Sequence, residues 1–279
     1  MKRGLAILLL LALCLSLGGC ALLNFNLGDR LPEDLEIPVP SEATKATEPP
    51  TAVVSEPTEA PETEAPTEAP IPQVTVSDAY VDTLSYDGWL CCYHIPQFDM
   101  DSPETESLNR AIYLELYEML EENVYEYPEQ PFLFEMTYSW VQVENIVSLL
   151  VAIQADWGME IYRVYNAYAD GSGIVSQDEL LEFYGYDRET YYAQVTVALE
   201  AYYRSSYSGY PGSETDEFYQ MQLQNTVSYE NAARTVPYIS VSGELCYVAT
   251  VYSLAGADSY DHLVTLTGTN APAPSCNIH

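Results

Sequence analysis

Positive charge is scarce in this 279-residue sequence, and no lysine occurs after Lys45. The chain has 9 lysines and arginines against 42 aspartates and glutamates, a formal net charge of −33. From Gln73 onward, five arginines accompany 31 carboxylates, which leaves a formal charge of −26. Phosphate binding requires clustered lysine and arginine, so we expect no nucleic acid partner. The acidity attracts cationic partners, although it also serves simply to keep an exported protein soluble.

Long apolar runs are also absent, except at the N-terminus. Lys2 and Arg3 precede an apolar run over residues 5–15, which is shorter than the roughly 20 residues of a membrane-spanning helix. Residues 17–20 read Leu-Gly-Gly-Cys, which resembles the bacterial lipobox. The alternative is an ordinary signal peptide with a chance cysteine. We predict a lipoprotein signal peptide over residues 1–19, lipid attachment at Cys20, and anchoring at the extracytoplasmic face of the bacterial cell membrane.

Residues 20–72 lack the aromatic side chains that a core needs, with Phe25 the only exception. The tetrapeptide Thr-Glu-Ala-Pro occurs at 58–61, 63–66 and 67–70. Proline restricts φ and the glutamates repel one another, so this composition predicts a disordered, extended tether. In the polyproline II conformation, at about 3.1 Å per residue, such a tether reaches roughly 150 Å.

From residue 73 the composition becomes that of a folded domain, which we place at 73–267, followed by a flexible tail at 268–279. Strands are predicted at 80–84, 90–95, 132–143, 146–154, 160–168, 238–240, 245–253 and 262–266 by alternation and turn residues. Helices are predicted at 101–125, from Ser176, at 187–207 and at 214–233. The first begins with Asp-Ser-Pro-Glu at 101–104, which provides a capping residue and a proline in the first turn. Its predicted apolar face consists of Leu108, Ile112, Leu116, Met119 and Leu120. Because strands and helices are segregated, we predict an α+β fold with a mostly antiparallel sheet and three or four helices.

The six cysteines do not define a disulfide framework. Cys14 would leave with the signal peptide and Cys20 would carry lipid, which leaves Cys91, Cys92, Cys246 and Cys276. The sequence cannot select among their pairings. A domain of about 200 residues needs no covalent support. Buried thiols, or one bridge from Cys246 to Cys91 or Cys92, therefore both fit.

The clearest motif is a stretch that resembles a calcium-binding EF-hand loop at residues 168–179. Its fitting positions are Asp170, Ser172, Gly173, Val175, Ser176 and Glu179. The first position, however, is Tyr168, which cannot supply the required carboxylate. We therefore favour a strand, a glycine turn, and a helix capped by Ser176 and Glu179.

Other candidate chemistry is incomplete. Cys92 and His94 share one strand face, but zinc needs two more ligands. Asp258, Ser259 and His262 are triad residue types crowded into one turn-like stretch, with no nucleophile elbow. We predict no catalytic residue, no metal and no cofactor. Tyrosine is abundant, with 25 residues, and the set at 191, 192, 202, 203, 207 and 210 suits glycan stacking or, as we prefer, a half-buried helix face.

Several short motifs occur in a familiar order between about residues 80 and 266. They are Tyr-His-Ile-Pro-Gln-Phe at 93–98, Glu-Ser-Leu-Asn at 106–109, Asn-Ile-Val-Ser-Leu at 145–149, Ser-Gln-Asp-Glu-Leu-Leu at 176–181, Gly-Glu-Leu at 243–245 and Ser-Leu-Ala-Gly-Ala at 253–257. This order resembles the RsiV-like extracellular domain of Firmicutes surface proteins. That domain forms the outer part of a lysozyme-sensing anti-sigma factor and the non-catalytic part of a peptidoglycan deacetylase.

The resemblance implies an α+β fold and a binding role at the cell envelope, and it carries over no catalytic residues. The metal-binding catalytic domain of the deacetylase has no counterpart here, nor do the transmembrane and cytoplasmic parts of the anti-sigma factor. We therefore expect a lipid-anchored, non-enzymatic binding module, with a lysozyme-like cationic protein or peptidoglycan as its partner. The alternatives are a peptidoglycan-modifying hydrolase with paired carboxylates and a passive structural lipoprotein.

Overall fold

The computed structural model describes residues 70–213, 215–255 and 258–274. The predicted signal peptide, Cys20, nearly all of the predicted tether and Cys276 lie outside these ranges. Within the ranges, no helix combines the length and the apolar character needed to cross a membrane.

The first sheet has five strands in sequential order: β1 (Val76–Tyr86), β2 (Trp89–Phe98), β3 (Leu133–Val143), β4 (Ile146–Ala155) and β5 (Glu160–Tyr168). Neighbouring strands are antiparallel, except that β2 and β3 are parallel. A parallel pair needs a long crossover connection. Helix α1 (Pro103–Leu120) and a π-helical turn (Glu121–Tyr125) supply it.

The second sheet is antiparallel and has three strands, β6 (Val236–Ile239), β7 (Leu245–Tyr252) and β8 (Ser259–Thr265). Between the sheets in sequence lie α2 (Gln177–Phe183), α3 (Arg188–Ser206), α4 (Glu217–Thr226) and α5 (Tyr229–Ala232). The predicted α+β class with mostly antiparallel strands is confirmed. The helix predicted at 214–233 is in fact two helices, because the Ser228 hydroxyl accepts from the Asn231 N–H and starts α5 as a separate helix.

Strand β4 is buried on both faces and lies between two cores. Val147, Leu149 and Val151 pack into the core that contains α1. Leu150, on the opposite face, packs with residues of the second sheet, including Cys246 and Val248. The other face of β7 packs against α2, α3 and α4 in a third core. The domain therefore has four layers, in the order α1, first sheet, second sheet, and helices α2 to α4. Because both faces of the first sheet are covered at β4, the sequence of this strand is an almost unbroken apolar run.

The predicted helix start at Ser102 is confirmed. Its hydroxyl accepts from the Thr105 N–H at 3.0 Å, and Pro103 occupies the first turn. Proline suits that position because its missing N–H has no partner there in any case. The predicted apolar face of α1 is buried at Leu108, Ile112, Leu116 and Leu120, whereas Met119 is only half-buried.

The chain after β8 makes contacts that the predicted tail at 268–279 did not anticipate. The Ala271 N–H donates to the Leu263 carbonyl at 3.0 Å, and the Tyr202 hydroxyl donates to Asn270 Oδ1 at 2.8 Å. Gly268, with φ +79°, makes the turn that returns the chain towards α3. These contacts place residues 268–271 with the folded domain and not in the tail.

The buried Ser148 hydroxyl makes a hydrogen bond between the two sheets, and we expect its removal to destabilise the domain. Ser148 Oγ accepts from the buried Ile239 N–H at 3.0 Å. Ser148→Ala leaves that N–H unpaired, which should cost about 1–3 kcal/mol of unfolding free energy in a urea titration. Ser85→Ala, on the exposed strand β1, is the control and should cost less than about 0.5 kcal/mol. Equal effects would contradict a role for the Ser148 hydroxyl.

Candidate functional site

The EF-hand-like stretch forms the predicted strand, glycine turn and capped helix. Asp170 Oδ1 accepts from the Ser172 N–H at 2.9 Å. Hydrogen bonds from the Ser172 side chain and then from its backbone lower the pKa of Asp170. Glu179 Oε2 accepts from the Ser176 N–H at 2.8 Å, which completes the predicted capping box. Hydrogen bonds from the Ser176 side chain and then from its backbone lower the pKa of Glu179. Both carboxylates therefore serve the local backbone, which is the role predicted for this stretch.

The other predicted chemical residues make local contacts. His94 Nδ1 lies 3.1 Å from Asp78 Oδ1 on the neighbouring strand. His262 Nδ1 lies 3.0 Å from the Tyr202 hydroxyl, and burial lowers the pKa of His262. Asp258 accepts through its backbone carbonyl from the Ser253 N–H. In the described part of the chain, no three His, Cys, Asp or Glu side chains are grouped as a metal site requires.

The three described cysteines, Cys91, Cys92 and Cys246, are buried. Cys91 lies in the α1 core and Cys246 in the core between the sheets. Of the two alternatives that the sequence left open, the structure has the buried thiols, and neither bridge to Cys246 is formed. Burial raises the pKa of Cys246 to about 11, which keeps it protonated at neutral pH.

The tyrosines on α3 are part of the core. Tyr191, Tyr192, Tyr202 and Tyr203 are buried. Tyr207 and Tyr210 are partly buried and pack against the same cluster. The preferred interpretation of these tyrosines as a packing face is therefore confirmed, and they offer little surface for a glycan.

A second group of tyrosines, around Asp82, is half-exposed. The Tyr125 hydroxyl donates to Asp82 Oδ2 at 2.8 Å and lies 2.9 Å from the Tyr80 hydroxyl. Tyr113 and Tyr117 stack with ring centroids 5.4 Å apart. Burial, followed by the hydrogen bonds to Tyr80 and Asp82, raises the pKa of Tyr125 well above its usual value. This network joins β1 to α1 through the π-helical turn.

Most of the scarce positive charge is already neutralised. Three of the five arginines after residue 73 bind carboxylates: Arg163 to Glu115 at 2.7 Å, Arg188 to Asp178, and Arg204 to Glu200 at 2.9 Å. These pairs leave the remaining carboxylates largely uncompensated. The resulting field attracts cations and repels anions.

One end of the first sheet combines exposed aromatic rings with carboxylates. The β1–β2 turn at Asp87 and Gly88, the segment before β3, and the turn between β4 and β5 all belong to this end, which we call the turn end. It carries Trp89, Tyr127 and Trp157, whose exposed fractions are 74%, 60% and 86%. Trp140, the third tryptophan of the chain, is partly buried and packs against the α1 core.

The backbone at Trp157 is unusual for a bulky residue. Its φ of 60° and ψ of 20° lie in the left-handed region, and Gly158 follows with φ 72°. Asparagine or glycine is favoured in such a turn. For most other residues the left-handed backbone costs about 1 kcal/mol or more of conformational free energy. Neither burial nor backbone preference accounts for tryptophan at this position.

The turn end was not among the sites predicted from the sequence. A signal was present, since Asp87-Gly88-Trp89 places tryptophan directly after a hairpin turn and Asp156-Trp157-Gly158 places tryptophan within one. Only the parallel pairing of β2 with β3 brings the two turns to the same end. A comparison of the chain with protein-family models and with curated proteins found no match.

Proposed function

We propose that this chain is a lipid-anchored, non-enzymatic binding module at the extracytoplasmic face of the bacterial membrane. Its partner is a lysozyme-like cationic protein or the peptidoglycan of the wall. The observation that carries the proposal is the uncompensated negative charge of the domain, −26 from Gln73 onward. The predicted lipid attachment at Cys20 supplies the anchor. The predicted extended tether allows the domain to reach away from the membrane.

Charge complementarity favours the cationic protein as the partner. Three of the domain's arginines are paired with carboxylates, so a basic partner meets little opposing positive charge. Such complementarity speeds association and selects against acidic partners. The half-exposed tyrosines around Asp82 support the glycan instead, because tyrosine rings stack on sugars while their hydroxyls form hydrogen bonds. No contact within the described ranges specifically favours the hydrolase or the passive lipoprotein.

Titration with a c-type lysozyme tests the proposal. Residues 21–279, which lack the lipid, are titrated at low salt and at 0.15 M salt, where charges are screened over roughly 8 Å. We expect one-to-one binding that survives at the higher salt, since contact between complementary surfaces is screened less than long-range attraction. Cosedimentation with purified peptidoglycan sacculi tests the second partner.

Lysozyme binding that is present at low salt and absent at 0.15 M salt would show only a general attraction between opposite net charges. Failure to bind either lysozyme or sacculi at 0.15 M salt would overturn the proposed function. Binding to sacculi alone would retain the envelope module and exclude the cationic protein.

A further inference from the structure

We infer that the turn end of the five-stranded sheet is the surface that binds a basic protein, with the rings of Trp89 and Trp157 receiving its arginine and lysine side chains. This inference rests on the proposed function and names the contact surface within it. The turn end comprises residues 86–90, 126–133 and 155–160.

Strand register places the two tryptophans at the same end of the sheet. Tyr86 pairs with Trp89 at the β1–β2 turn, and Leu133 pairs with Ala155 immediately before the Trp157 turn. Because β2 and β3 are parallel, both turns project from the same end of the sheet. Strands β2 and β4 are two strand spacings apart, about 10 Å. Two basic side chains of one partner can therefore engage both rings at once.

The segment between α1 and β3 is held against the Trp157 turn. The Asp156 N–H donates to the Phe132 carbonyl at 2.8 Å, and the Phe132 N–H donates to the Asn123 carbonyl at 2.8 Å. Exposed Tyr127 lies in this segment, directly after the π-helical turn. Backbone hydrogen bonds therefore connect the segment that carries Tyr127 to the Trp157 turn, and these two rings do not lie on independent loops.

Charge at the turn end is of one sign. Its three segments contain Asp87, Glu126, Glu129, Asp156 and Glu160, and they contain no lysine, arginine or histidine. A guanidinium or ammonium group is attracted to the face of a tryptophan ring, and nearby carboxylates strengthen that attraction. The combination of exposed rings and uncompensated carboxylates matches arginine and lysine side chains.

A neutral glycan fits this surface less well than a basic protein does. Sugars stack on tryptophan, but they gain nothing from five carboxylates without counter-charges. Exposed tryptophan is also typical of protein interfaces, where tryptophan and arginine are enriched among the residues that contribute most to binding. Charge complementarity therefore selects a basic protein as the occupant.

The ring variants test the surface without threatening the fold. Trp157→Asn replaces a bulky residue with one that tolerates the left-handed backbone, and Trp89→Thr retains a residue suited to strands. We expect the double variant to bind c-type lysozyme at least 10-fold more weakly than wild type at 0.15 M salt. Its melting temperature should be unchanged or raised by the asparagine. Val197→Thr, exposed on α3, is the control and should bind as wild type does.

A matched pair of charge variants separates local from general electrostatics. Asp87→Asn with Asp156→Asn removes two charges at the turn end, and the asparagine at 156 can still accept from the residue 157 N–H. Glu182→Gln with Glu217→Gln removes two exposed charges from α2 and α4. We expect the first pair to weaken lysozyme binding several-fold more than the second pair does.

Each outcome assigns success or failure to a different claim. If wild type binds neither lysozyme nor a deca-arginine peptide, the proposed cationic partner fails and this surface fails with it. If wild type binds and the tryptophan variants bind equally well, only the turn end is wrong. If the tryptophan variants lose binding to sacculi but keep lysozyme, the occupant is a glycan and the inference is overturned.

Discussion

Replacing Gly268 with alanine is expected to lower the unfolding free energy by about 3 kcal/mol or more. Gly268 has φ +79°, and a left-handed backbone costs a residue with a Cβ about 1–2 kcal/mol. The added Cβ would also lie 2.4 Å from the Ala198 carbonyl oxygen and 2.8 Å from Ala201 Cβ. Relieving such overpacking typically costs a further 1–3 kcal/mol, because α3 or the turn must move. Urea unfolding monitored by tyrosine fluorescence measures the loss.

Gly185→Ala isolates the steric part of this effect. Gly185 has the same φ of +79°, but nothing lies within 4 Å of the position its Cβ would take. The variant therefore has only the cost of the left-handed backbone, and its unfolding free energy should fall by about 1 kcal/mol. Similar losses in the two variants would mean that the chain around Gly268 does not pack against α3 in solution.

Local sequence signals were sufficient for much of the fold. Ser176 and Glu179 predict their capping box because both partners lie within one helical turn. The Glu-Asn turn at 144–145 separates two runs of strand-forming residues and so predicts β3 and β4, whereas β4, which is buried on both faces, shows no alternation. The four-residue spacing of Leu108, Ile112, Leu116 and Leu120 predicts the buried face of α1 in the same local way.

Non-local pairing accounts for most of what the sequence could not predict. The packing of two separate sheets against each other depends on contacts such as the hydrogen bond between Ser148 and Ile239. These two residues are far apart in the sequence, so no local pattern predicts their contact. The contacts of residues 268–271 are largely made by backbone groups and a glycine, so their polar composition resembles that of a tail. The common end of Trp89 and Trp157 likewise follows from one parallel strand pair, which has no local pattern.

Helix α1 provides the second large effect, because it covers one face of the sheet whose turn end carries Trp89 and Trp157. Leu116 is 0% exposed and packs in the α1 core with strands of that sheet. Leu116→Ala removes buried methyl groups and leaves a cavity, which should cost about 2–5 kcal/mol of unfolding free energy. Differential scanning calorimetry should record a fall in melting temperature of several degrees.

Leu114→Ala is the control on the same helix. Leu114 is 56% exposed, so its truncation creates little cavity, and alanine has a slightly better helix propensity than leucine. Its unfolding free energy should change by less than about 0.5 kcal/mol. Comparable losses at the two positions would mean that α1 packs with a different face. In that case the crossover between β2 and β3, on which the common end of the two tryptophans depends, would need to be reassigned.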